Sequence, residues 1–82
     1  MTDGLQERRY DALIDARGLS CPMPLVKARQ ALMVLDSGAT VGVLATDPAS
    51  RRDFADFAEA TGHELLDVRE EQGVLWLVLR KA

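Results

Sequence analysis

The sequence predicts a small α/β protein with the element order βαβαββ. Its 82 residues allow one domain with a single two-layer core. Two stretches with helical spacing of apolar residues alternate with short apolar stretches that are typical of strands. The last two strand-like stretches are separated by the turn residues 71–73, which predict a hairpin. Two helices can cover only one face of the resulting four-stranded sheet.

The chain begins with a polar segment and a first strand. Residues 1–9 have no apolar periodicity, and we expect a flexible N-terminal arm followed by one domain over residues 10–82. Residues 10–15 place Tyr10, Ala12 and Ile14 at alternate positions, and this spacing predicts a strand with these side chains on one face. Gly18 follows, and it can adopt the positive φ that a turn at this point needs.

The first helix is predicted to end near residue 35. Pro22 and Pro24 lack a backbone N–H, and both are tolerated in a first turn, where that donor has no partner in any case. An inward-facing stripe follows at helical spacing, consisting of Leu25, Ala28, Leu32 and Leu35. Gly38 is the expected turn residue beyond the helix.

Residues 40–46 form the second predicted strand, which is apolar on both faces and therefore expected in the interior of the sheet. Asp47 is a preferred N-cap, and Pro48 suits the first position of the second helix. The expected core side of that helix consists of Phe54, Phe57, Ala58 and Thr61. Gly62 is expected to end it.

The last two strands are predicted over residues 63–70 and 74–80. The final strand is apolar at six consecutive positions, 74–79, so one apolar row would lie on the open face of the sheet. Such a row indicates a docking or dimer surface. Cover by edge side chains and the N-terminal arm explains it equally well. We expect a monomer or a weak dimer.

Composition disfavours several functional classes. The formal net charge of −3 disfavours a general nucleic-acid binder, which usually carries a clustered basic excess. The first nine residues lack the apolar run of a signal peptide, and no stretch approaches the roughly 20 apolar residues of a membrane span. A single cysteine without an export signal is typical of the cytoplasm.

The candidate nucleophile is Cys21, the only cysteine in the chain. It precedes a helix whose N-terminus would favour the thiolate. Residues 17–34 contain no acidic side chain but hold Arg17, Lys27 and Arg29, a local charge of +3 that also favours the thiolate. A small, buried and unreactive cysteine is the alternative interpretation, and these residues leave the two about equally favoured.

Other chemistries find little support in the sequence. Without a second cysteine, a redox cycle within the chain is excluded. One histidine and one cysteine do not predict a zinc site, and no cofactor is expected. His63 could serve as a general base, but a solvent-facing or capping role at the start of a strand is its ordinary outcome.

The motifs around Cys21 resemble the TusA-type (SirA-like) family of sulfur-carrier proteins. The resemblance rests on Asp-Ala-Arg-Gly-Leu-Ser-Cys-Pro-Met-Pro at residues 15–24 and on Ala-Thr-Asp-Pro-Ala-Ser at residues 45–50. Asp53 and the Gly-His-Glu-Leu of residues 62–65 extend it. The similarity covers about residues 11–82, and the Cys-Pro-x-Pro motif is specific in this context.

This resemblance implies a two-layer sandwich in which both helices pack on one face of a mixed four-stranded sheet, as in the C-terminal domain of a bacterial translation initiation factor. It implies that Cys21 receives a persulfide sulfur from a cysteine desulfurase or rhodanese-like donor and passes it to an acceptor protein. In relatives the pathways include tRNA thiolation, molybdenum-cofactor biosynthesis and sulfur oxidation. The activity implied is that of a sulfurtransferase with modest catalytic power.

The resemblance also implies roles for the neighbouring residues. Gly18, Pro22 and Pro24 would position the cysteine. Asp47 and Asp53 match acidic positions typical of the family; an N-cap role is sufficient for Asp47, while Asp53 could be a surface residue or a partner contact. The expected docking residues are Arg17, Lys27, Arg29 and Asp53. The alternative function is a non-catalytic regulatory or protein-interaction module, in which the thiol is incidental.

Overall fold

The fold follows the predicted element order. The computed structural model describes residues 10–82, so the expected arm over residues 1–9 lies outside the described part. The elements are β1 (Ala12–Ala16), α1 (Met23–Val34), β2 (Thr40–Ala45), α2 (Ala49–Thr61), β3 (Glu64–Glu71) and β4 (Val74–Arg80). The predicted boundaries differ from these by at most a few residues, the largest change being the start of β1 at Ala12.

The four strands form one mixed sheet in the order β1-β2-β4-β3. Strand β1 pairs with β2 in parallel, whereas β4 pairs with both of its neighbours in antiparallel fashion. The two central strands, β2 and β4, are the segments whose sequence is apolar on both faces, and both are mostly buried. The mixed sheet and the interior position of β2 were therefore predicted correctly.

Both helices pack on one face of this sheet and enclose a single hydrophobic core. Phe54 of α2 is fully buried there, together with Ala28 and Leu32 of α1. The sheet contributes alternating side chains, among which Val41, Val43, Ala45, Leu75, Leu77 and Leu79 are buried. The fold is the expected two-layer sandwich.

The predicted core stripes need one correction. Thr61 is exposed rather than packed on the core. It is the last residue of α2, and its hydroxyl donates to the Phe57 carbonyl at a distance of 2.7 Å. Gly62 then ends the helix with φ of 85°, as its position predicted. Because the chain turns away here, Thr61 does not reach the sheet.

The open face of the sheet carries the apolar row of β4, formed by Trp76 and Val78. Val78 is only 9% exposed and Trp76 is half-buried. The side chains of Tyr10 and Leu13 lie over Gly42, where an added Cβ would come within 3.1 Å of Leu13 Cδ1. Side chains from the β1 edge therefore cover part of this face. No helix within residues 10–82 is long and apolar enough to cross a membrane.

Candidate functional site

The candidate site lies at the edge of the sheet where β1 and β2 end. The two strands are parallel, and their last residues, Ala16 and Ala45, are direct partners. The loops that follow them, residues 17–22 and 46–48, therefore leave the sheet side by side. Cys21 belongs to the first loop, and the residues that hold it belong to the second.

Two hydrogen bonds connect these loops. The Gly18 N–H donates to Thr46 Oγ1 at 2.9 Å, and the Cys21 N–H donates to Asp47 Oδ2 at 2.7 Å. Gly18 has φ of 82°, so the positive φ expected of it is present. Asp47 Oδ1 accepts a further bond from the Ala49 N–H at 3.0 Å. A single carboxylate thus links the cysteine turn to the start of α2.

The N-cap position of α2 is occupied by Pro48 and not, as predicted, by Asp47. Asp47 lies one residue earlier, where its Oδ1 accepts the Ala49 N–H, and its bond to the Cys21 N–H is an additional role. Pro48 has helical dihedral angles but precedes the first helical residue, Ala49, by one position. The N–H donors of Cys21 and Ala49 stabilise the charged carboxylate and lower the pKa of Asp47. Asp47 is therefore an anion with both oxygens engaged.

The Cys21 thiol contacts the carboxylate of Asp53. Cys21 is exposed, so it is not the small buried residue of the alternative interpretation. Its Sγ lies 2.5 Å from Asp53 Oδ2, and because a carboxylate only accepts, the thiol is the donor. This bond, then loss of hydration, and then the charges of Asp53 and Asp47 raise the pKa of Cys21. The expectation that the surroundings favour the thiolate is wrong.

The prolines explain why the start of α1 does not offset the acidic neighbours. Pro22 and Pro24 have no N–H to offer. The Met23 N–H donates to the Ser20 carbonyl at 2.9 Å rather than to the thiol. Pro24 is buried at the second position of the helix, and Pro22 lies before the helix after a cis peptide bond. The first turn of α1 therefore provides few free N–H donors.

The predicted basic surroundings of Cys21 are also incorrect. Arg17 forms an exposed ion pair with Asp15 at 2.7 Å, which lowers the pKa of Asp15 to about 2 and raises that of Arg17. Lys27 and Arg29 are exposed and form no ion pair within the part of the chain that the structure describes. The groups nearest the thiol are acidic, because the fold brings residues 47 and 53 to it.

A cleft of about 480 Å³ between the two helices begins at Cys21. Its apolar wall includes Leu25 and Phe57, and its charged side chains are Arg29, Asp53 and Asp56. The cleft is open to solvent at the thiol. Another protein could therefore bring a reactive group to Sγ from this side.

His63 does not belong to this group. It lines a neighbouring cleft together with Lys81, and its ring lies 5.5 Å from that of Phe57. Its Nδ1 accepts the N–H of Ala82 at 3.0 Å. This agrees with the capping role that its position at the strand start indicates. Within residues 10–82, no cluster of three or more His, Cys, Asp or Glu side chains could hold a metal ion.

The sequence indicated Cys21, Gly18 and the prolines as candidate site residues but did not reveal the contacts of Thr46, Asp47 and Asp53 with this turn. The contacts of Asp47 and Asp53 join residues 26 and 32 positions apart. A signal existed, since parallel pairing of the first two strands places both following loops at the same edge. The contact between Asp53 and the thiol could not be predicted in this way, because it depends on the direction in which α2 runs over the sheet.

Comparison with known proteins places these features in a family. The family model described as Sulfurtransferase TusA matches residues 12–81. The sulfur carrier protein TusA of Allochromatium vinosum is 41% identical over 73 residues, which cover 89% of this chain and 96% of that protein. The sulfur carrier protein TusA of Pseudomonas putida is 42% identical over 71 residues, which cover 87% of this chain and 89% of that protein. A crystal structure of a SirA-like protein from Desulfitobacterium hafniense superposes with a TM-score of 0.75 at 30% identity. The superposition covers 84% of this chain and 95% of that protein.

Proposed function

The chain belongs to the TusA family, and from this premise we propose that it is a sulfur carrier that holds sulfane sulfur as a persulfide on Cys21. The observation that carries the proposal is the exposed thiol at the mouth of a cleft, on a turn that two hydrogen bonds attach to the neighbouring loop. The carrier unit is the single domain over residues 10–82.

A lone, exposed and firmly positioned thiol suits this task. The persulfide forms when the Cys21 sulfur attacks the outer sulfur of a donor persulfide, and it is consumed when an acceptor thiol attacks in turn. With no other cysteine in the chain, the loaded sulfur cannot be lost to an internal disulfide. The reaction is a sulfurtransferase step that needs no bound cofactor, and the protein contributes positioning more than catalytic power.

The donor we propose is a cysteine desulfurase or a rhodanese-like protein, and the acceptor is a downstream sulfur-accepting protein. The pathways that such a carrier could supply with sulfur include tRNA thiolation, molybdenum-cofactor synthesis and sulfur oxidation. Direct contact with nucleic acid or membrane is not part of the proposal. The cytoplasm, where thiols stay reduced, is the compartment in which such a carrier works.

Docking would use exposed cations of α1, of which Arg29 lines the cleft. Lys27 and Arg29 are exposed cations without an ion pair among residues 10–82, so they can meet acidic side chains of a partner. Arg17 is held by Asp15, so its contribution would require exchange of that ion pair. Asp53 faces the thiol and would meet the partner only at the reacting centre.

Intact-protein mass spectrometry tests the carrier function. The protein is incubated with a cysteine desulfurase, pyridoxal phosphate and free cysteine, and separately with thiosulfate and a rhodanese. We expect a species heavier by one sulfur atom that disappears with reductant and is absent in Cys21→Ser. The variant should keep the thermal midpoint of the wild type, because Cys21 is exposed. Loading in neither system would contradict the proposal and favour the regulatory or interaction module.

A further inference from the structure

The Cys21 thiol donates its hydrogen bond to the Asp53 carboxylate. Sγ and Asp53 Oδ2 are 2.5 Å apart, and within residues 10–82 no other side chain forms a hydrogen bond with Sγ. Asp53 is half-buried in the second turn of α2 and forms no ion pair within this range. The proton that must leave Cys21 for sulfur transfer is therefore already directed at a carboxylate.

We propose that Asp53 is the catalytic proton acceptor for Cys21 during sulfur loading and returns that proton to the donor's cysteine. This inference rests on the proposed carrier function. A group with this role must contact the reacting atom, and Asp53 does so.

The loading step balances without an oxidant or reductant. As Asp53 takes the thiol proton, the freed electron pair on Sγ forms a bond to the outer sulfur of the donor persulfide. The donor's S–S bond breaks, and its electron pair remains on the donor cysteine sulfur. Protonated Asp53 then gives the proton to that thiolate. One thiol and one persulfide are consumed, and one persulfide and one thiol are formed.

The other ionisable groups at the site are less suited to this role. Both oxygens of Asp47 accept backbone N–H groups, which holds its pKa low and makes it a poor proton acceptor. Asp56 lines the same cleft but forms no hydrogen bond with the thiol. Arg29 is permanently charged. His63, the usual choice of base, lines the neighbouring cleft.

The contact also changes the resting state of the carrier. By accepting the thiol hydrogen bond, the Asp53 carboxylate disfavours a second negative charge on Sγ, and the pKa of Cys21 is raised. The free protein then exposes a thiol rather than a thiolate to oxidants and alkylating agents. Deprotonation becomes favourable only when a bound persulfide takes up the electron pair of sulfur.

The variant Asp53→Asn tests this role, because loss of proton transfer should slow sulfur loading while loss of the Asp53 charge should speed alkylation of the thiol. Of the charged groups at the site, Asp53 contacts Sγ, Asp47 accepts the Cys21 N–H, and Asp56 and Arg29 line the cleft. Without the Asp53 charge, alkylation of Cys21 by iodoacetamide should be faster at pH 7, and its pH profile should move to lower pH. Sulfur loading should respond in the opposite direction. We expect it to be at least about tenfold slower at pH 7, since only a few per cent of an ordinary cysteine is thiolate there.

Loading is measured by rapid quench and intact mass with a saturating, persulfide-loaded cysteine desulfurase, so that weaker docking does not enter the rate. The ratio of variant to wild-type rate should approach one above about pH 9, where thiolate forms without a base. Asp53→Glu should recover part of the pH 7 rate. Glu59→Gln, which changes an exposed carboxylate of the same helix that does not line the cleft, is the matched control and should change neither alkylation nor loading by more than about twofold.

The possible results distinguish the role of Asp53 as proton acceptor from the carrier function of Cys21. Asp53→Asn that loads as fast as the wild type, or faster in step with its alkylation, would overturn the role of Asp53 and leave the carrier function intact. A deficit of equal size at every pH would also overturn it, because proton transfer is then not what was lost. Wild-type protein that gains no sulfur contradicts the carrier function itself, and this step with it.

Discussion

The backbone N–H of Cys21 donates to the side chain of Asp47, with 2.7 Å between the nitrogen and Oδ2. The second oxygen of the same carboxylate accepts the N–H of Ala49 at the start of α2. Asp47 therefore fixes the cysteine turn relative to the helix that carries Asp53. The turn that carries the thiol is thus connected to α2 through this one side chain.

Asp47→Ala should lower both stability and sulfur loading. The substitution leaves the Cys21 and Ala49 N–H groups without their acceptor, so the turn and the start of α2 both loosen. Thermal unfolding and the loading assay measure the two effects. Asp56→Ala, on the exposed side of the same helix, should leave the thermal midpoint unchanged. An unchanged midpoint in Asp47→Ala would show that neither hydrogen bond contributes to stability.

The contribution of Asp47 to stability should disappear in acid. Its pKa is lowered in the folded chain, so its contribution is complete above the unfolded value of about 3.9 and is lost as pH falls through the folded pKa. The difference in thermal midpoint between the wild type and Asp47→Asn should therefore be constant from pH 7 to 5 and shrink below about pH 4. A difference that stays constant down to pH 2 would contradict the assigned charge state.

Gly18→Ala should destabilise the fold through the backbone alone. Gly18 has φ of 82°, and an added Cβ would meet no atom within 4 Å. We expect a loss of about 1–2 kcal/mol in the free energy of unfolding, measured with urea. Gly38 is the matched control, with φ of 88° and equal space. Gly38→Ala should cost a similar amount but keep sulfur loading, whereas Gly18→Ala should also slow loading because its turn carries Cys21.

Binding of the sulfur donor should depend on Lys27 and Arg29. Both cations are exposed, so their attraction to an acidic partner is screened as salt increases. Titration with a cysteine desulfurase should give weaker binding for Lys27→Gln and Arg29→Gln, and a smaller dependence on salt than the wild type shows. Arg69→Gln, which removes a cation from the open face of the sheet, should bind like the wild type. Equal affinity at low and high salt would contradict this docking surface.

The sequence was sufficient for the architecture because local signals agreed with each other. The spacing of apolar residues indicated both helices. Gly62 indicated the end of α2, and the turn at residues 71–73 indicated where β3 ends and β4 begins. The two strands that are apolar on both faces, β2 and β4, are the central strands of the sheet. Family resemblance added the mixed sheet. Thr61 was assigned to the core because periodicity does not indicate where the last turn of a helix leaves the sheet.

The electrostatics of the site could not be predicted from neighbouring residues. Counting charges around Cys21 gave a basic environment, but Arg17 pairs with Asp15, just outside the counted segment. The carboxylates that determine the state of the thiol come from the β2–α2 loop and from α2. Their approach depends on the parallel pairing of β1 with β2 and on the packing of α2 over the sheet, both of which are tertiary.

That tertiary origin makes the cysteine a reporter of folding. The acceptors of the Cys21 N–H and thiol lie 26 and 32 residues further along the chain, so they are synthesised well after it. A nascent or denatured chain carries an ordinary thiol, accessible to any electrophile in the cell. Once α2 docks, the same atom acquires its raised pKa. We therefore expect iodoacetamide to alkylate Cys21 faster in the denatured chain than in the folded protein at neutral pH.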